Sequence, residues 1–164
     1  MTFKELLLKL DACEPAREWA NDMTIEEVVE KCHRGDWLLW LAKRVDIGIR
    51  PLTLAKARCV KTVIHLMKDQ RSINAVHVAE RFGLDECTLE ELQDAAAAAD
   101  DAAAYAAAAA AYAAAAAAAA DDDDDAYAYA YAARTKNQKQ TADICRETIG
   151  RLLIEKVNAL LNEK

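Results

Sequence analysis

Residues 95–133 read AAAAADDAAAYAAAAAAYAAAAAAAADDDDDAYAYAYAA, and this stretch decides the fold class. It holds only alanine, aspartate and tyrosine, with no Lys, Arg, Pro, Gly or branched aliphatic residue. Alanine is the strongest helix former, so the segment predicts helix. It offers methyl groups for close packing, phenol rings and seven carboxylates, five of them consecutive at Asp121, Asp122, Asp123, Asp124 and Asp125. It supplies none of the usual nucleophiles, so catalysis is not expected from this part of the chain.

Length decides between a rod and a hairpin. One helix over 89–133 would run about 68 Å at 1.5 Å per residue. A domain of 164 residues is only about 30–40 Å across. Five aspartates in mid-helix would cost about 3 kcal/mol in propensity, with like-charge repulsion added. At the start of a new helix the same residues cap it and favour its dipole. The expectation is therefore a helical hairpin: a helix to about Ala120, a turn in the aspartates and a return helix from about Asp125. Tyr105 and Tyr112 share a face, as do Tyr127 and Tyr131.

Working outward, the rest also reads as helix. Thr2 with Glu5, Thr24 with Glu27 and Thr88 with Glu91 each spell a capping box. The first opens a helix over 3–10, and the third opens the alanine segment. Pro15 suits the first turn of a short helix carrying Trp19. Gly35 suits a left-handed residue after a helix, and Asp36 the N-cap of the next helix, 37–44. A loop is expected over 47–52 and a helix over 53–68, with Leu54, Ala57, Val60, Ile64 and Met67 on one stripe. Ser72 then opens a helix stopped by Gly83. Residues 134–140 read as a polar interruption or exposed turn before a last helix over 141–162, whose apolar stripe includes Ile144, Ile149, Leu153 and Val157. The expected whole is a single all-α domain, a multi-helix bundle with three parts: 1–88, the alanine-rich hairpin 89–133 and a C-terminal helix in 134–164.

The formal charge is −7. Residues 1–94 carry 14 basic and 17 acidic groups; 95–133 carry seven acidic and none basic; 134–164 carry seven basic and four acidic. The alanine segment thus supplies the imbalance, and the basic C-terminal third is placed to lie near acids of its own chain. Such a balance argues against direct nucleic-acid binding, which needs a cationic surface. No signal peptide or membrane span is apparent, since alanine is too weakly apolar and aspartates flank the longest uncharged run. Five cysteines at wide spacing, without CxxC, read as free, mostly buried thiols in a reducing cytoplasm.

The candidate chemistries are few. Cys32–His33, Cys59 with His65, and His77 with Cys87 lack the spacing of a zinc site, so no metal or other cofactor is expected. No Cys–His signature marks a catalytic nucleophile, and the protein reads as a non-enzyme. Arg34–Gly35–Asp36 spells an adhesion tripeptide, but a helix stop followed by a helix start accounts for Gly35 and Asp36. Trp19, Trp37 and Trp40 are either a binding patch or core anchors; Trp37 and Trp40, set among leucines, favour core. The aspartate run Asp121–Asp125 is either a solvated turn or a docking patch for a basic partner. An EF-hand is excluded, since neither its alternating ligands nor its central glycine is present.

Several segments together resemble the immunity proteins of bacterial polymorphic-toxin systems, in their Ala/Tyr-rich helical type. They are Ala12-Cys13-Glu14-Pro15-Ala16-Arg17-Glu18-Trp19, Cys32-His33-Arg34-Gly35-Asp36-Trp37-Leu38-Leu39-Trp40-Leu41, Ala79-Glu80-Arg81-Phe82-Gly83 running into the Ala/Tyr/Asp tract, and Gln140-Thr141-Ala142-Asp143-Ile144-Cys145-Arg146. The resemblance spans residues 12–149. It implies a small cytoplasmic, all-helical protein that binds and neutralises a cognate toxin, and it supplies no binding residues. Two other readings fit the same composition: a phage-encoded inhibitor of a bacterial defence nuclease, acting as an acidic nucleic-acid mimic, and a structural module that forms homo-oligomers.

Overall fold

Three threonines set the helix starts as the sequence predicts. The Glu5 amide donates to Thr2 Oγ1 at 3.2 Å while the Thr2 amide donates to Glu5 Oε2 at 2.7 Å. Thr24 with Glu27 and Thr88 with Glu91 repeat the exchange. Each box satisfies amides that the first turn of a helix leaves without partners.

The structure is a computed structural model that describes residues 1–98 and 124–162. Among these residues every regular element is helical. In chain order they are α1 (Phe3–Lys9), α2 (Glu14–Trp19), α3 (Ile25–Lys31), α4 (Gly35–Arg44), α5 (Ile49–Lys61), a 3-10 turn at Ile64–Leu66 and α6 (Gln70–Gly83). Helix α7 covers 89–98, and α8 covers Asp124–Asn162. The fold is all-α. The hairpin turn expected in the aspartates lies outside the described residues, as do Asp121, Asp122 and Asp123, while Asp124 and Asp125 belong to α8. Among the described residues no helix is long and apolar enough to cross a membrane.

Helix α8 is the spine. Ala142, Cys145, Ile149, Leu153 and Val157 recur at three- and four-residue spacing and are buried to 1% exposure or less. Around this stripe pack Phe3, Leu6 and Leu7 of α1, Ile25, Val28 and Val29 of α3, Leu38, Leu41 and Ala42 of α4, and Ala55 and Cys59 of α5. Each large side chain so buried contributes about 1.5–3 kcal/mol. Helix α6 packs against α5, and there Phe82 is buried beneath the Arg50 guanidinium, which stands 4.2 Å from the ring centre.

Several boundaries differ from expectation, each for a local reason. Residues 134–140 are not an interruption but part of α8. Asn137 there donates to Thr62 Oγ1 at 2.9 Å, and the Thr141 hydroxyl donates back to the Asn137 carbonyl at 2.9 Å. The loop after α4 is shorter than 47–52, because Gly48 (φ 96°) turns the chain and Pro51 sits in the first turn of α5. Helix α5 stops at Lys61 rather than 68; the Thr62 hydroxyl takes the Cys59 carbonyl at 2.7 Å and a 3-10 turn follows. Asp69, not Ser72, caps α6, its carboxylate accepting from the Arg71 and Ser72 amides at 2.8 and 3.3 Å.

The largest correction concerns glycine. Gly35, expected as a left-handed residue after a helix, instead opens α4, while Gly83, expected to stop a helix, is the last residue of α6. They are needed for closeness: a Cβ on Gly83 would lie 2.5 Å from Leu54 Cβ, and one on Gly35 would lie 2.5 Å from Thr141 Oγ1. The left-handed positions belong to Asp11 (φ 60°), Asp46 (φ 50°) and Asp85 (φ 64°). After each, the next amide donates five residues back: Ala12 to Leu7, Ile47 to Ala42, and Glu86 to Arg81, at 3.0, 3.3 and 2.8 Å. The six-to-one bond of a Schellman ending therefore closes α1, α4 and α6 on an aspartate.

Candidate functional site: a tryptophan-lined cleft

Helix α4 divides its side chains between two environments. Leu38, Leu41 and Ala42 face the buried interior, while Trp37 and Trp40, three residues apart, are half-buried. Trp19, near the end of α2, meets them from across the chain. Its indole stands 5.9 Å from that of Trp37, the rings inclined at 55°. His33 completes the group, edge-on to Trp19 at 5.9 Å and 6.3 Å from Trp37. Such offset and edge-to-face arrangements suit the ring quadrupoles.

The three tryptophans border an open, largely apolar cleft of about 690 Å³ between α1, α2 and α4. Phe3, Leu7 and Cys13 line it with the tryptophans, and Asp11, Glu14 and Arg17 stand at its edge. A shallower groove continues over Glu14, Arg17 and Glu18 to Leu8. From residue 11 to residue 30 the chain carries seven carboxylates against one base, Arg17. Asp11, Glu14, Glu18, Asp22, Glu26 and Glu30 are exposed; of these, Asp11 and Glu14 line the cleft, and Glu14 and Glu18 line the groove beside Lys4 and Arg17.

Arg34 fixes one wall. Its guanidinium lies 4.7 Å from the Trp37 ring centre and binds Asp36 through Nε–Oδ1 at 2.8 Å and Nη2–Oδ2 at 2.5 Å. That bidentate pair holds the Asp36 carboxyl below its usual range and raises Arg34 further. The Arg34–Gly35–Asp36 tripeptide is thus the first turn of a helix, its charges spent on each other and Gly35 buried. Asp36 lies inside that turn rather than at the N-cap, which Arg34 occupies. Cys32 lies beneath the cleft, and burial pushes its thiol up, away from the reactive thiolate.

Arg146 of α8 holds the underlying α3–α4 corner. Its Nε donates to the Val29 carbonyl at 2.8 Å and its Nη2 to the Cys32 carbonyl at 2.9 Å, while Nη1 pairs with Asp143. These carbonyls end α3 and have no partner within the helix.

The sequence offered the tryptophans as core or as patch, and the structure makes them both: packed on the core at one side and open to the cleft at the other. The candidate patch Asp121–Asp125 has no described side chain to relate to it. Cys59 and His65, and His77 and Cys87, join no metal-binding group; among the described residues no three His, Cys, Asp or Glu side chains are placed to hold an ion.

Fold and cleft together define an all-α multi-helix protein with an aromatic-lined cleft. Comparison of the chain with models of protein families, with curated proteins and with solved structures gives no match.

Proposed function

We propose that this protein is a non-enzymatic inhibitor that binds another protein, as immunity proteins do when they neutralise a cognate toxin. The observation that carries the reading is the open tryptophan-lined cleft, with the exposed carboxylates Asp11 and Glu14 among its lining. Tryptophan is the residue type most enriched where binding energy concentrates, and a pre-formed aromatic groove takes an apolar anchor at little entropic cost. The carboxylates of 11–30, together with those of 95–133, favour a partner with a basic surface and speed its encounter. Occlusion of a basic active site or nucleic-acid channel is the mode of inhibition this suits.

The test is affinity capture on the immobilised chain from cells of its natural source, run beside Trp37→Ala. A basic protein retained by the native chain, lost with the variant and inhibited in its own assay by the native chain supports the reading. A captured protein whose activity is unaffected by saturating amounts of the chain rejects inhibition. Retention equal for the variant rejects the cleft.

A further inference from the structure

We infer that Cys59 and Cys145 form an oxidation site, at which a hydroperoxide closes the two thiols to a disulfide joining α5 to α8. Their sulfurs stand 3.7 Å apart in the core. A disulfide needs about 2.05 Å, so the gap to close is about 1.7 Å. Little holds the thiols back. Among the described residues, Cys59 Sγ has its other hydrogen bond to the Thr141 carbonyl at 3.7 Å and Cys145 Sγ to the Gly35 carbonyl at 3.7 Å, both long. The remaining cysteines are placed differently. The Cys32 thiol donates to the Arg34 carbonyl at 3.4 Å, Cys87 donates to Val78 at 3.5 Å, and Cys13 is exposed in the cleft.

The two sulfurs are unequal. Cys145 is fully buried, while Cys59 keeps 9% of its surface open. Cys59 is therefore the thiol that a peroxide reaches first, and it attacks as the thiolate. Its sulfur takes one oxygen of the peroxide; the O–O bond breaks, and the departing hydroxide takes up the proton lost by the thiol and leaves as water. Cys59 is then a sulfenic acid. Cys145 Sγ attacks the Cys59 sulfur, the S–O bond breaks, and the hydroxyl leaves with the Cys145 proton as a second water. Two thiols lose two electrons and two protons, and one peroxide becomes two waters.

The test uses the whole chain with hydrogen peroxide, in the native sequence and in Cys13→Ser, which removes the exposed thiol. After catalase quenching, the protein is denatured, alkylated with iodoacetamide and mapped by mass spectrometry. The expected product is a peptide pair linked through Cys59 and Cys145, with Cys32 and Cys87 alkylated, all reversed by dithiothreitol. Cys145→Ala, its fold checked by circular dichroism, should lose the link and leave Cys59 oxidised no further than sulfenic or sulfinic acid. If both thiols alkylate fully under peroxide that consumes Cys13 in the native chain, the site is overturned. A link through Cys32 overturns it equally.

Discussion

Gly35 and Thr141 meet with no space between them: a Cβ at position 35 would stand 2.5 Å from Thr141 Oγ1 and 2.6 Å from the Thr141 carbonyl carbon. The contact brings the start of α4 onto the middle of α8, where Cys145 also reaches the Gly35 carbonyl. Because backbone as well as side chain blocks the added methyl, a rotamer change cannot relieve it. Gly35→Ala should destabilise the fold by about 2–3 kcal/mol through overpacking. Thr141→Ser in the same chain should recover little, since the carbonyl carbon remains. Urea denaturation of both variants checks this, and a Gly35→Ala midpoint equal to the native one refutes the close contact.

The aspartates that end helices offer the opposite change. Asp46 holds φ 50° at the end of α4, and the Ile47 amide behind it closes on Ala42 at 3.3 Å. Glycine adopts this conformation without a Cβ penalty, although it gives the unfolded chain more freedom. Asp46→Gly should leave stability unchanged or raise it by up to about 1 kcal/mol, whereas Asp46→Val should cost about 1–2 kcal/mol. Thermal melts of the pair decide it: a glycine variant less stable than the valine variant contradicts the left-handed assignment.

These two positions show what the sequence could and could not convey. A capping box is a local device, so Thr2, Thr24 and Thr88 were readable from three-residue spacing alone. The αα contacts of Gly35 and Gly83 were not, because a glycine chosen for closeness looks, in sequence, like one chosen for a turn. Asp11, Asp46 and Asp85 carry no mark that separates a left-handed aspartate from a surface one. Residues 134–140 looked polar enough for a loop, yet Asn137 and Thr141 spend their polarity on Thr62 and on the helix itself. The cleft was half legible: three tryptophans announced an aromatic cluster, but which ring faces stay uncovered depends on where α1 and α2 come to rest.

Acid should weaken the fold through its caps. The Glu27 carboxyl lies below its usual range because the Thr24 amide donates to it, with Lys31 adding to the effect, and Glu5 and Glu91 are lowered first by the Thr2 and Thr88 amides. A carboxylate whose folded value is depressed contributes stability above its unfolded value, and that contribution disappears as pH falls through the folded one. The loss therefore sets in near the unfolded glutamate value of about 4.3 and deepens below it. Denaturation midpoints measured from about pH 6 to about pH 3 should fall less steeply for Glu27→Gln than for the native chain. Parallel curves would remove the Thr24 box from the acid response.

Partner binding should separate charge from aromatic contact. Carboxylates act over distance and chiefly set the encounter rate, whereas desolvated ring contacts set how long a complex lasts. Replacing Asp121, Asp122, Asp123, Asp124 and Asp125 with asparagine should slow association with a basic partner by about tenfold at low salt and flatten its dependence on ionic strength, with dissociation little changed. Trp37→Ala should do the reverse, leaving association nearly intact and speeding dissociation by about 30-fold or more, the equivalent of about 2 kcal/mol. Surface plasmon resonance across a salt series resolves the two. Association rates that ignore both the aspartates and the salt would take the acidic run out of recognition and leave the cleft to act alone.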